Sequence, residues 1–214
     1  MEEIWIIGVG QFGSLAYQRL SMGKKGRHFV LVDPVKENLL RCKDTNCTLE
    51  QADGVDFLTK NLSPGNDPDW IIPALPIHLT AEWILARLGP ERLQRLTLPH
   101  EIESLLPNPI RGPEGNIYVS HADFRCPDDC AEPLDICTVT REKRKQNMFE
   151  ILGDIQLGPF QPLAIRSHQL GPGIGGYRTK QLFSLLDQVK QARGHLLVST
   201  ACRCHGVITG LKRL

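Results

Sequence analysis

The chain has 214 residues, enough for one large α/β domain or two small ones, each able to bury an ordinary core. Its 25 basic and 24 acidic side chains leave a formal charge of +1, which excludes a bulk field drawing the protein to nucleic acid or to an anionic membrane. The longest apolar stretch near the middle, Trp70 to Ile77, is broken by Pro73 and Pro76 and is far short of the ~20 residues of a membrane span. The start, Met1-Glu2-Glu3, runs straight into an apolar strand and lacks the pattern of a secretory signal, so a cytoplasmic protein is expected. Seven cysteines, an odd count in a reducing compartment, point to metal or redox chemistry and away from a disulfide framework.

Ile4-Trp5-Ile6-Ile7 forms the first predicted strand. It runs into Gly8-Val9-Gly10-Gln11-Phe12-Gly13, a helix over 12–22, and a second strand at 28–33 that ends in Asp33. This order is that of a dinucleotide-binding unit. Gly8 permits the turn out of the strand, Gly10 lets backbone approach a pyrophosphate, and Gly13 lets the helix pack on the sheet. Gln11 and Phe12 lie in the first helical turn, whose amides face the phosphate. Asp33, about twenty residues beyond Gly13, is placed to accept ribose hydroxyls and to repel a 2′-phosphate, so NAD is favoured over NADP.

Helices near 35–42 and 77–88 and strands near 70–74 and 93–98 continue the alternation, which predicts a parallel sheet with helices on both faces. Pro34 and Pro76 are expected at first helical turns, where no amide donor is needed. His78 and Glu82, four apart on the later helix, share a face near the end of strand 70–74. His78 is there a candidate acid or base, or half of a solvated pair.

Pro107, Pro109, Gly112, Pro113 and Gly115 break the pattern, so residues 1–104 and 116–214 are expected as two domains joined by a linker at 105–115. Strands at 116–124, 163–168 and 195–200 and helices at 141–152 and 179–193 predict a second, βαβαβ half. The cluster Arg141-Glu142-Lys143-Arg144-Lys145 reads as a solvated helix face.

Cys126 and Cys130 follow one of these strands, Cys202, Cys204 and His205 follow another, and His168 ends a third. In a parallel sheet all would surface at one carboxyl-terminal edge. Thiols and imidazoles together suit zinc or an iron–sulfur cluster, with Cys126, Cys130, Cys202 and Cys204 as ligands and His168 and His205 as alternates for ligation or proton transfer. The competing reading makes Cys202 and Cys204 small core residues on a continuing strand and places Cys126 and Cys130 in an exposed turn; Cys42, Cys47 and Cys137 read as packing. Gly171-Pro172-Gly173-Ile174-Gly175-Gly176 lies between a strand and a helix and is expected as a flexible substrate or phosphate loop, with a plain tight connection as the alternative; Tyr177 and Arg178 offer a phenol and a guanidinium to an anion.

Ile6-Ile7-Gly8-Val9-Gly10-Gln11-Phe12-Gly13-Ser14, the strand ending at Asp33, and Asp53-Gly54-Val55-Asp56 together resemble the nucleotide-binding regulatory domains of potassium channels and transporters. The likeness covers residues 4–98. It implies a Rossmann fold that binds NAD, NADH or an adenine nucleotide and a nucleotide-controlled partner.

Two functions are therefore expected, with an unmetallated binding domain as a third. One is an NAD(H)-dependent oxidoreductase with a Cys/His metal or iron–sulfur site near the nicotinamide, acting on a small-molecule substrate or a redox partner. The other is a nucleotide-sensing regulatory module with a structural zinc. A homodimer is left open.

Overall fold

The computed structural model describes residues 1–23, 26–42 and 46–214. Apolar runs bounded by glycine and polar residues make β1 (Glu2–Ile7), β2 (Arg27–Val32), β3 (Cys47–Glu50) and β4 (Trp70–Pro73). The intervening elements are α1 (Gln11–Ser21), α2 (Lys36–Leu40) and α3 (Gly54–Asn61). These strands pair in parallel in the order β3-β2-β1-β4. Alternation along β1 divides its buried side chains between two faces. Ile4 and Ile6 pack with Ala16, Tyr17 and Leu20 of α1 on one face, while Trp5 and Ile7 pack with Phe57 and Leu58 of α3 on the other. Asp53 starts α3 by accepting from the amides of Val55 and Asp56 at 2.8 and 3.0 Å.

Beyond β4 run α4 (Leu79–Leu88), β5 (Leu93–Arg95), a 3-10 turn at His100–Leu105, β6 (Ile110–Arg111) and β7 (Ile117–Ser120). The chain continues through α5 (Met148–Gly153), β8 (Phe160–Arg166), β9 (His168–Gly171), β10 (Ile174–Arg178), α6 (Thr179–Gln191), β11 (Gly194–Ala201) and β12 (His205–Arg213). The second sheet has the order β6-β7-β12-β11-β8, with β5 also on β12; in it only β8 and β11 run in parallel.

The protein is thus α/β with two mixed sheets, and the parallel arrangement expected throughout fails for a definite reason. A parallel neighbour needs a crossover of a dozen residues or more. Only Pro172 and Gly173 separate β9 from β10, and only Cys202 to Cys204 separate β11 from β12, so both pairs are antiparallel hairpins. Gly173, with φ +70°, supplies the left-handed turn of the first.

Residues 105–115 do not divide the molecule into separate cores. β9 and β10 from the second half extend the first sheet beside β4, while β5 from the first half joins the second sheet. Trp5, Ile7, Trp83 and Ile84 share one core with Leu163, Leu182, Leu185, Leu196, Val198 and Leu211. α6 contributes the spacing that faces it, Leu182, Leu185, Leu186 and Val189 all being buried. Each such side chain stabilises by about 1.5–3 kcal/mol. A second core, Leu98, Ile102, Met148, Leu152, Leu197 and Ile208, covers the far face of the second sheet.

Other elements are shorter or displaced. The helix expected from 141 begins only at Met148, because Asn147 and Glu150 form a capping box that fixes the start there and Arg141 adopts φ +61°. His78, not Pro76, stands before the first turn of α4, and Val35 follows Pro34 before α2. Among the described residues no helix is long and apolar enough to cross a membrane.

Candidate functional site

The glycine turn after β1 is tightly determined. Gly8 has φ +91°, and a Cβ there would fall 2.7 Å from the Leu75 side chain and 2.8 Å from the Ala74 carbonyl oxygen. A Cβ on Gly13 would fall 1.9 Å from the Gly8 carbonyl oxygen, so α1 crosses the turn in backbone contact. A Cβ on Gly10 would meet nothing within 4 Å. The outer face of the turn is open where a pyrophosphate would approach. Gln11 and Phe12 begin α1, and the Phe12 ring is 60% exposed beside the turn. Asp33 is 5% exposed. One of its oxygens accepts from the Val9 amide at 2.6 Å; the other accepts from the Val35 amide at 2.8 Å and the Asn38 side chain at 3.1 Å.

Cys126, Cys130, Cys202, Cys204 and His205 line one cavity of about 530 Å³, together with Phe12 and Leu15 of α1. They meet by a route different from the one expected. β7 pairs antiparallel with β12, His205 opposite Ser120, so the chain leaving β7 emerges beside the turn that enters β12. The His205 ring stands between two thiols, Nε2 3.7 Å from Cys126 Sγ and Nδ1 3.9 Å from Cys202 Sγ. Cys202 Sγ also accepts from the amides of Cys204 at 3.4 Å and His205 at 3.3 Å. Arg144 donates to Cys204 Sγ at 2.9 Å.

Desolvation, with the Glu132 carboxylate adding to it, pushes the Cys202 thiol up to about 12. Desolvation and the neighbouring Cys130 and Cys137 push Cys126 up. Cys204 is raised by desolvation against the opposing pull of Arg144. His205 is held below the ordinary histidine range by desolvation, which outweighs Glu132. Neutral thiols and a neutral imidazole are the groups that metal binding would deprotonate or capture. As the side chains stand, no group of three or more His, Cys, Asp and Glu among the described residues is arranged to hold a metal ion. The donor set fits a thiophilic metal in its chemistry; closing it requires the thiols to draw inward.

A smaller cavity of about 320 Å³ lies between the ends of β4 and β11 and is lined by Leu75, His78, Ser167, Tyr177, Cys202 and His205. Leu75 packs over Gly8, while Cys202 and His205 face both cavities. Phe12 and Leu15 of α1 reach the thiol cavity and Leu75 the smaller one, while Gly8, Gly10, Gly13 and Asp33 line neither.

Other expected site residues have structural partners. His168 opens β9 and packs its ring edge-on against Trp70 at 5.7 Å; its neighbour Gln169 lines the thiol cavity instead. It misses the cavity because β8 ends at Arg166 and the chain crosses to the other sheet. His78 is buried, with Nδ1 2.7 Å from Thr209 Oγ1 and Nε2 2.9 Å from Thr200 Oγ1. Burial, with Arg95 adding to it, holds its pKa down to about 3. Glu82 is ion-paired with Arg95. His78 and Glu82 are thus neither a solvated pair nor a poised acid and base.

The segment from Gly171 to Gly176 is the β9–β10 turn and the strand after it, and it braces the cysteine loop. The Gly173 amide donates to the Cys130 carbonyl at 3.0 Å, and a Cβ on Gly173 would fall 1.9 Å from the Asp128 carbonyl oxygen. Arg19 donates to the carbonyls of Asp128 and Pro172 at 2.8 and 2.7 Å, and Gln169 donates to that of Cys130 at 2.6 Å. Gly176 packs against β4, where a Cβ would come within 3.0 Å of the Ile71 carbonyl oxygen. Tyr177 is fully buried, and Arg178 stacks over Trp70 at 3.8 Å from the ring centre. Two residues that sequence reasoning passes over stand at the site: Cys137, near enough to Cys126 to shift it, and Arg144, drawn from the basic cluster. The spacing from Cys130 to Cys137 is the available signal for the first.

Residues 80–214 match the AF_1314_C family, described as "Uncharacterized protein, C-terminal domain". The chain is also 30% identical over 224 residues to an "Uncharacterized protein" of Archaeoglobus fulgidus, a match covering 97% of this chain and 98% of the relative. No solved structure matches the chain significantly. All the cysteines and histidines of the cavity fall within the matched segment, and the chain belongs to the AF_1314_C family.

Proposed function

We propose that the protein is a cytoplasmic NAD(H)-dependent oxidoreductase. In this reading a Rossmann-like first sheet holds the dinucleotide, and a Cys/His metal or iron–sulfur site stands near it, across the cavity that α1 walls. One observation carries the reading: Phe12 and Leu15, on the helix that the glycine turn launches, wall the same cavity as Cys126, Cys130, Cys202 and Cys204. The strand order β3-β2-β1-β4 supports it, since dinucleotides bind at the carboxyl ends of such strands.

The open face at Gly10 admits the pyrophosphate to the first amides of α1, and Asp33 receives a ribose hydroxyl on the one lone-pair site that Val9, Val35 and Asn38 leave over. His205 is the group positioned to hold or release a proton, being neutral and bordering both cavities. A bound metal would supply either Lewis-acid polarisation of a substrate oxygen or electron storage. Apolar Phe12, Leu15 and Ile174 line that side of the cavity.

Calorimetry with NAD, NADH and NADP, followed by NADH-dependent reduction of an artificial acceptor, tests the reading. Cys202→Ser and Cys204→Ser should abolish the reduction while NADH binding stays within about threefold, roughly 0.65 kcal/mol. Full activity in both variants favours the second reading, a nucleotide-sensing regulatory module with structural zinc; the resemblance over residues 4–98 implies its nucleotide sensing, not the zinc. That reading has its own observation in the exposed apolar side chains Leu134, Ile136 and Val139 on the loop that carries the thiols, which suit a partner surface.

A further inference from the structure

From His121 to Asn147 the chain makes an excursion in which no residue is buried. Leu134, at 69% exposure, shares the loop with exposed Ile136 and Val139, so the segment has no apolar core to hold it. Yet it is not shapeless. Ile136 bridges to Lys143, the Cys137 amide donates to Glu142 O at 2.9 Å, the Arg141 amide donates to Cys137 O at 3.0 Å, and the Arg144 amide donates to Asp135 O at 2.6 Å. These bonds make a small hairpin that presents Cys137. Segments too small to bury a core are commonly held by metal, and this one carries Cys126, Cys130 and Cys137.

The thiols stand where a staple would be. Cys126, Cys130, Cys204 and His205 form the wall shared by the cavity of about 530 Å³ and a second cavity of about 660 Å³; Cys202 faces the first cavity and Cys137 the second. The Cys202 sulfur accepts from the amides two and three residues on, those of Cys204 and His205. The Val139 and Thr140 amides and the Thr140 hydroxyl lie near enough to the Cys137 thiol to hold it below its ordinary range. Paired amide donors aimed at sulfur stabilise a thiolate and tune a metal-bound one.

We propose that Cys137 is a ligand of the same thiophilic centre as Cys126, Cys130 and the 202–205 turn, and that this centre staples residues 121–147 to the second sheet. The proposal rests on the metal-binding reading above and deepens it by naming a ligand and a structural task. Zinc and an iron–sulfur cluster share the required chemistry.

The test uses the full chain, reduced and stripped with chelator. One portion is reloaded with zinc, another anaerobically with ferrous iron and sulfide; metal and sulfide content and visible absorbance tell which is retained. Iodoacetamide labelling read by mass spectrometry should show Cys137 alkylated at least tenfold more slowly in the loaded protein than in the stripped one, along with Cys126 and Cys130. Trypsin cleavage at Arg141, Lys143 and Lys145 should slow equally. Cys137→Ser should lose metal and protection, whereas Cys42→Ser should lose neither. Metal retained by the wild type with Cys137 labelled at the stripped rate overturns the ligand role alone. A wild type that retains neither zinc nor iron overturns the metal-binding reading and the proposal with it. The labelling arm needs no variant to fold.

Discussion

The Asp33 carboxylate and the Val9 amide meet at 2.6 Å across the mouth of the glycine turn, tying the end of β2 to the residue between Gly8 and Gly10. Removing the acid leaves the buried Val9 amide without its acceptor, at a cost of about 1–3 kcal/mol, while the amide of exposed Val35 can turn to water. Asp33→Ala should therefore lower the urea midpoint, and Asp33→Asn, which keeps an acceptor oxygen, should lower it less. If Asp33 also receives the ribose, both variants lose discrimination between NAD and NADP in calorimetry. Equal affinity of the wild type for the two would leave the acid with its structural task alone.

Gly10 and Gly13 separate binding from folding. Alanine at Gly13 would force its Cβ to 1.9 Å from the Gly8 carbonyl, against backbone that cannot yield cheaply. Overpacking of this kind costs about 1–3 kcal/mol or more, so Gly13→Ala should melt clearly below the wild type. Alanine at Gly10 meets nothing within 4 Å and should leave the melting temperature within about a degree or two. Its methyl would stand where the pyrophosphate is expected, so NAD affinity should fall at least tenfold. A Gly10→Ala protein that binds NAD normally would put the dinucleotide elsewhere.

What is legible in the sequence is local. The turn at Gly8, the run into α1 and the acid at Asp33 lie within one βαβ segment, where spacing fixes geometry. β12 is hidden because Gly206 and Gly210 look like punctuation. In the fold they admit neighbours, a Cβ on Gly210 falling 2.4 Å from the Leu96 carbonyl and one on Gly206 2.9 Å from the Ala201 Cβ. The glycines from 171 to 176 mislead in the opposite sense, since a hairpin turn and a phosphate loop draw on the same residues. Sequence pattern brings Cys126 and Cys202 near each other for an incorrect reason, parallel strand ends in place of the antiparallel pairing of β7 with β12. It passes over Cys137 because the basic cluster suggests a helix from 141, whereas the Asn147–Glu150 capping box moves the helix start to 148.

His78 should make the protein acid-sensitive. Its imidazole is buried against Thr200 and Thr209, and its pKa is held down to about 3 from an ordinary 6.5. Above pH 6.5 it is neutral in both folded and unfolded chains and has no effect on the pH slope. As pH falls below 6.5 the unfolded chain takes up a proton that the folded one refuses, so stability is lost progressively until the folded pKa is reached. At pH 4.5 this amounts to about 3 kcal/mol. His78→Asn, which keeps a donor and an acceptor but does not titrate, should start less stable at pH 7 and show a flatter decline in urea midpoint between pH 6.5 and 4.5. An unchanged slope would mean that other groups govern acid unfolding.

Arg144 ties the cysteine loop to the turn opposite it. Its guanidinium donates to the carbonyls of Pro133 and Leu134 at 3.1 and 2.9 Å and to Cys204 Sγ at 2.9 Å, bridging two segments otherwise joined by little apolar contact. Hydrogen bonds from a charged donor contribute about 1.5–3 kcal/mol, which is one to two decades in a local opening equilibrium. In reduced, metal-free protein, Arg144→Met should therefore raise hydrogen exchange and protease cleavage within residues 126–146 by about tenfold to a hundredfold. Because no residue of that segment is buried, the global melting temperature should hardly move. Arg144→Lys, a single point charge without the planar fork, should fall between the two. Protection of the loop unchanged in Arg144→Met would show that the Gly173 and Gln169 bonds to the Cys130 carbonyl hold it without the guanidinium.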